Sequence, residues 1–153
     1  MTLQQVYLSH QNKNIIMYPV ELTKPISRDL TDFGFKSLVN SDDVTHVLEN
    51  NEGTVLLVVN SVCGCAAANA RPGAKMSVTG EKKPDQMVTV FAGVDKDAVE
   101  KAREYLLPYP PSSPSIALFK DGRLVHMLER RHIEGNSAQA IAFNLQSAYE
   151  KFC

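Results

Sequence analysis

Cys63-Gly64-Cys65 sets two thiols one residue apart, directly after the aliphatic and β-branched run Thr54 to Val62. Sulfurs this close suit thiol–disulfide exchange or half of a metal site. Structural zinc takes four ligands with wider cysteine spacing, and no second Cys/His pair stands at suitable spacing, so exchange fits better and no metal is expected. The chain's third cysteine, Cys153, has no sequence neighbour to work with and reads as incidental. An odd set of three does not describe a disulfide-stapled scaffold.

The reactive pair needs elements that hold it. Thr54 to Val62 reads as a buried strand and Ala66 to Met76 as an alanine-rich helix, which Pro72-Gly73 should kink or interrupt. Val88 to Phe91 is a second strand. Asp95 to Leu106 is a helix that Asp95 can cap. A proline-rich loop, residues 108–114, leads into a third strand from Ser115 to Lys120. Asp121-Gly122 is a strong hairpin signal, and Leu124 to Leu128 returns as a fourth strand. Ser137 to Lys151 forms the last helix, with the stripe Ala138, Ile141, Leu145, Ala148 and Phe152. Before residue 54 the pattern is weaker. Ile26 to Leu38 reads as an amphipathic helix with Leu30, Phe33 and Leu38 inward, and Asp42 to Glu49 as a second one with Val44, Val47 and Leu48 inward. Neither His10 nor His46 is assigned a role.

The order βαβαββα predicts an α/β, thioredoxin-like fold. Strand–helix–strand demands a right-handed parallel crossover, and the hairpin then adds antiparallel strands to give a four-stranded mixed core sheet flanked by helices. Residues 1–153 are expected to form a single domain, with 1–53 as an N-terminal helical extension packed on a 54–153 core. The chain, at 153 residues, 44% apolar and 22% charged, is long enough for a proper core and excludes wholesale disorder. Net charge is −1 from 16 basic and 17 acidic residues, so no bulk field points to nucleic acid or an anionic membrane. The longest aliphatic run, Val55 to Val59, is far short of the ~20 residues of a membrane span. The opening residues lack the pattern of a secretory signal. A soluble, cytoplasmic protein is expected.

In that fold the Ser61 to Ala66 junction is where a strand ends and a helix begins. Free amides there favour S⁻ over SH. Cys63, at or just before the cap, takes the role of attacking sulfur, and Cys65, inside the first turn and partly inward, that of resolving sulfur. Gly64 is expected to let the backbone twist until the sulfurs meet, because residues two apart on a regular helix diverge. Ser113-Pro114 is a candidate cis bond at the start of the third core strand, bordering a groove for a substrate backbone.

Cys63-Gly64-Cys65-Ala66, Asn69-Ala70-Arg71-Pro72-Gly73, Pro110-Pro111-Ser112-Ser113-Pro114, Ile116 to Gly122 and Glu129 to Gly135 together resemble the bacilliredoxins across nearly the whole chain. The resemblance implies removal of bacillithiol from mixed disulfides on client proteins. Bacillithiol is then a co-substrate, with no bound cofactor. Cys63 would attack the bacillithiol sulfur, and bacillithiol or Cys65 would restore the enzyme. Weak disulfide isomerase or reductase activity is the alternative, and a non-catalytic binding module with an ordinary thiol at Cys63 stands as a further one.

Among the charged residues, Arg71 and Lys75 are candidates to make Cys65 more acidic or to hold substrate carboxylates, against the plainer reading of solvated surface charges. Arg130-Arg131-His132 reads equally as an anion site or as the polar end of a strand. Asn69 and Tyr109 are possible borders of the site. The expected catalytic residues are therefore Cys63 and Cys65, with Gly64, Ser113, Pro114 and Arg71 on the substrate side.

Overall fold

The computed structural model describes residues 18–49 and 52–153. His10 and the remainder of 1–17 lie outside the described residues. In chain order the elements are helix α1 (Val20–Thr31), strand β1 (Lys36–Ser37), helix α2 (Ser41–Glu49), strand β2 (Thr54–Asn60), a π-helical turn (Ala66–Ala70) running into helix α3 (Arg71–Ser77), and strand β3 (Gln86–Phe91). Helix α4 (Lys96–Tyr105), strands β4 (Ser115–Lys120) and β5 (Arg123–Leu128), and helices α5 (Arg130–Ile133) and α6 (Ala138–Phe152) complete the set.

One mixed sheet runs in the order β1-β3-β2-β4-β5. Strands β1, β3 and β2 are mutually parallel, whereas β4 runs antiparallel to β2 and β5 antiparallel to β4. The expected four strands are thus joined by a fifth. Strand β1 has two residues, too few to show any alternation, which is why its sequence gives no strand signal.

Central strand β2 is buried at every position, so it reads as an unbroken apolar run. Leu56 and Val58 face one core layer with Leu30 of α1, Ala74 of α3 and Ile141 and Leu145 of α6. Val55, Leu57 and Val59 face the other, with Val44 and Leu48 of α2 and Ala98 and Ala102 of α4. Truncating Leu56 or Leu57 to alanine would cost about 2–5 kcal/mol. The strand pairs Val59 with Ser115 and Asn60 with Phe91. That register brings the exit of β2, the end of β3 and the entry of β4 to one end of the sheet.

Local chemistry explains where the elements depart from expectation. Helix α1 begins at Val20 and ends at Thr31, with Pro25 inside it, instead of spanning 26–38. The chain turns at Gly34, whose φ of 116° suits only glycine. Leu30 and Leu38 are buried as expected, but Phe33 falls in the turn and is exposed. Asp95 precedes α4 without a side-chain capping bond, its φ of −102° and ψ of 72° being unlike the extended backbone of a capping residue. At Asp121-Gly122 both φ angles are positive (50° and 78°), as the tight hairpin requires.

Pro72-Gly73 does not interrupt its helix. The irregularity comes earlier, where the Arg71 N–H reaches back five residues to the Ala66 carbonyl. A wider turn draws the preceding carbonyls away from the Pro72 ring, which would collide with them in a regular helix. Gly73 serves packing: a Cβ there would stand 2.7 Å from Ile141 Cγ2 and 2.8 Å from Ile141 Cβ. Its absence lets α3 lie directly on α6.

Candidate active site

The strand–helix junction builds the sulfur pair. The Cys63 carbonyl accepts hydrogen bonds from the N–H groups of Ala66 (3.1 Å) and Ala67 (3.3 Å), so Cys63 stands at the cap. Cys65 has helical backbone angles, φ −69° and ψ −27°. The two Sγ atoms lie 2.7 Å apart. They meet because Cys63 is outside the helix and Cys65 just within it. The twist expected of Gly64 is not what joins them, since its φ is not in the left-handed region. Apart from its neighbours Cys63 and Cys65, nothing lies within 4 Å of where a Gly64 Cβ would be. That position is a bare, exposed spot beside the sulfurs.

The two thiols differ sharply in environment. Burial alone would raise Cys63, but hydrogen bonds from the Cys65 thiol, the Ser61 hydroxyl and the Ala66 N–H, together with the charge of Arg130, outweigh it and hold Cys63 below the ordinary thiol range. Cys65 is pushed above that range, first by burial, then by donating to Cys63 and by the negative charge on it. Arg130 pulls the other way on Cys65 and Glu134 adds to the rise. A depressed thiol beside a raised one is the division of labour that thiol–disulfide exchange needs: a sulfur ionised for attack and a neutral donor next to it.

The Ser113–Pro114 bond is cis, and so is Leu107–Pro108, which carries no specific sequence signal. Arg130 ties the proline turn to the cysteines. Its backbone N–H donates to Ser112 Oγ (3.3 Å) and its Nη1 to the Ser113 carbonyl (3.2 Å), while its charge acts on both sulfurs. It is exposed and also faces Glu134 at 3.5 Å. The neighbouring basic residues turn elsewhere: Arg131 pairs with Glu129 at 3.2 Å, and His132 Nδ1 accepts the Glu129 N–H. These residues form the short helix α5 and not the end of a strand. Of the triplet, Arg130 is the one that bears on the site.

Arg71 requires a correction. It is neither a solvated charge nor turned toward a substrate, being only 6% exposed. Its Nε bonds Asp29 Oδ2 (2.9 Å), and its Nη1 bonds Asn60 Oδ1 (3.1 Å) and the Ser61 carbonyl (3.0 Å). Lys75 likewise bonds Asp29, at 2.5 Å. The charges acting on the sulfurs come from Arg130 and Glu134 instead. Ser61, which the sequence reading passed over, is the nearer influence, and its one signal was a hydroxyl two residues before Cys63. Asn69 donates to the Asn136 carbonyl, joining the π-helical turn to the loop before α6.

Cys153 lies near Thr54, at the far end of β2 from the sulfur pair, and burial pushes its thiol above the ordinary range. Among the described residues no group of three or more His, Cys, Asp or Glu converges as a metal site. No described helix is long and apolar enough to cross a membrane.

Comparison with known proteins agrees with this geometry. Among solved structures, oxidised mitochondrial thioredoxin 3 of Saccharomyces cerevisiae matches with a TM-score of 0.55 at 14% identity, over 81% of this chain and 99% of that one. Fasciola hepatica thioredoxin gives 0.52 at 15% identity, over 78% and 100%. Those likenesses establish a thioredoxin-like fold. Bacilliredoxins of Cytophaga hutchinsonii and Halalkalibacterium halodurans are 53% and 50% identical to the chain, covering 88% and 89% of it and 99% and 94% of their own lengths. Residues 18–153 match the family model described as disulphide isomerase. With half its residues shared along almost the full length of bacilliredoxins and a two-thiol junction of opposed acidities, the chain belongs to the bacilliredoxin family and is a thiol–disulfide oxidoreductase.

Proposed function

We propose that the protein removes bacillithiol from mixed disulfides on client proteins, with Cys63 as the attacking sulfur. The Cys63 thiolate attacks the bacillithiol sulfur, the client S–S bond breaks, and the client sulfur leaves as a thiolate that takes up a proton. Bacillithiol is then held on Cys63. A second bacillithiol thiolate attacks the sulfur of the bound bacillithiol, giving bacillithiol disulfide and releasing the Cys63 thiolate. In the other route Cys65 attacks Cys63, releases bacillithiol and closes a Cys63–Cys65 disulfide, which two further bacillithiol molecules reduce.

The observation that carries this reading is the opposite displacement of the two thiols at a junction where Arg130 faces both. Arg130 favours a substrate that brings negative charge, and Gly64 leaves room for it to approach. Ser113 and Pro114 border the entry, with the Ser113 carbonyl fixed by Arg130. The clients are proteins bearing an accessible bacillithiolated cysteine, and the reaction belongs in the cytoplasm, with bacillithiol as co-substrate.

Cys65→Ala protein mixed with a bacillithiolated client tests the proposal by mass spectrometry. Bacillithiol is expected to leave the client and appear on Cys63. A client that stays modified while Cys63 stays bare refutes it. General disulfide reduction or isomerisation is the second reading, favoured by the 2.7 Å sulfur approach that suits ring closure. Faster turnover of a client with an internal disulfide than of its bacillithiolated form would select it.

A further inference from the structure

Helix α1 reaches the active site through a chain of polar contacts. Asp29 on α1 grips the Arg71 guanidinium at 2.9 Å, and Lys75 holds the other carboxylate oxygen. Arg71 passes the grip to the exit of β2 by bonding both Asn60 Oδ1 and the Ser61 carbonyl. Asn60 Oδ1 also accepts the Ser61 N–H at 2.9 Å, and Asn60 Nδ2 reaches the Ile26 carbonyl of α1 at 3.5 Å. Asn60, Ser61 and Arg71 are all buried. The Ser61 hydroxyl, at the end of this chain, accepts the Cys63 N–H at 3.3 Å, next to the sulfur whose acidity it favours.

We propose that Asp29 and Arg71 are positioning residues of the active site, locking the Asn60-Ser61 turn so that the Ser61 hydroxyl keeps its hold on the Cys63 N–H beside the reacting sulfur. Both ends of the Ser61 peptide are pinned, its N–H on Asn60 and its carbonyl on Arg71, so the hydroxyl has little freedom to turn away. A buried guanidinium whose partners are removed is costly, so Arg71 keeps the turn in place only while Asp29 holds it. Helix α1 is thereby a working part of the site. The charged groups facing Asp29 are Arg71 and Lys75, and those facing the sulfur pair are Arg130 and Glu134. The proposal rests on Cys63 as the reacting sulfur, but its test involves no bacillithiol, so its failure is distinguishable from failure of the function above.

The test is the pH profile of iodoacetamide alkylation at Cys63, read by mass spectrometry on the full chain. Ser61→Ala should lower the ionised fraction of Cys63 at neutral pH about tenfold, and Asp29→Asn about threefold. The double variant should fall no further than Ser61→Ala alone, because both changes break the same contact. The sign is diagnostic. Losing a negative charge would by itself make Cys63 more acidic, so a less acidic Cys63 in Asp29→Asn reports the lost positioning. Asp29 is partly exposed, and near-ultraviolet dichroism checks that the variant is folded. If it is not, Arg71→Lys, which keeps the buried charge but not the fork of donors, gives the same reading. A folded Asp29→Asn or Arg71→Lys whose profile overlays that of the unaltered protein overturns the proposal, as do effects that multiply in the double variant.

Discussion

Replacing Cys65 by alanine removes the thiol that lies 2.7 Å from Cys63 Sγ and donates to it. A hydrogen bond to a charged group contributes about 1.5–3 kcal/mol, and the lower end applies because the pair is only part-buried. Since 1.36 kcal/mol is one factor of ten in protonation, the Cys63 thiolate population below its midpoint should fall about tenfold. Reactivity does not fall as far. A thiolate of a tenfold weaker acid is about threefold more nucleophilic, given a Brønsted slope of roughly 0.4–0.5. The observed alkylation rate should thus drop about threefold at neutral pH and rise about threefold on the alkaline plateau. The two rate–pH curves should cross. Cys65→Ser, which retains a donor, should lie between them. Iodoacetamide labelling across the pH range, quantified on the Cys63 peptide, checks this. Parallel curves without a crossing, or a more acidic Cys63 in Cys65→Ala, would refute the assignment of Cys65 as donor.

Arg130→Gln should reduce the preference of Cys63 for anionic iodoacetate over neutral iodoacetamide, and added salt should erode the unaltered protein's preference in the same direction. Burial raises Asp29, but hydrogen bonds from Lys75 and Arg71 win and lower it. Its stabilisation is therefore complete above the ordinary carboxylate value and lost as pH falls below about 4 through the folded value. Urea unfolding should show Asp29→Asn less stable near neutrality, with the gap closing in acid. Gly73→Ala should destabilise by about 1–3 kcal/mol, because its Cβ would press on Ile141 across the α3–α6 contact, and a lower melting temperature would register it.

The sheet was legible where pattern and turn chemistry agree. The all-buried β2, the positive-φ pair Asp121-Gly122 and the stripe of α6 each leave a signal in the residues themselves, and so does the Ser113–Pro114 turn. Elements that depend on distant partners were not legible. Strand β1 exists only because β3 lies beside it. Arg71 looked like a surface charge because nothing local announces Asp29, which is 42 residues away. The sulfur pair at the strand–helix junction followed from spacing, but the residues around it did not. Ser61 and Arg130 act through geometry that only the folded chain brings about, one through a pinned peptide and the other through a short helix where a strand end was equally plausible.

The empty space over Gly64 has a consequence for which targets the protein can serve. With no other part of the fold within 4 Å of a Gly64 Cβ, approach over that residue is limited by the outline of the visitor. A modified cysteine on a protruding loop or a frayed end can be lowered onto the spot, whereas the same group sunk in a cleft would be held off by the rims of both molecules. On the proposed function, selection among clients would then follow their relief and not their sequence.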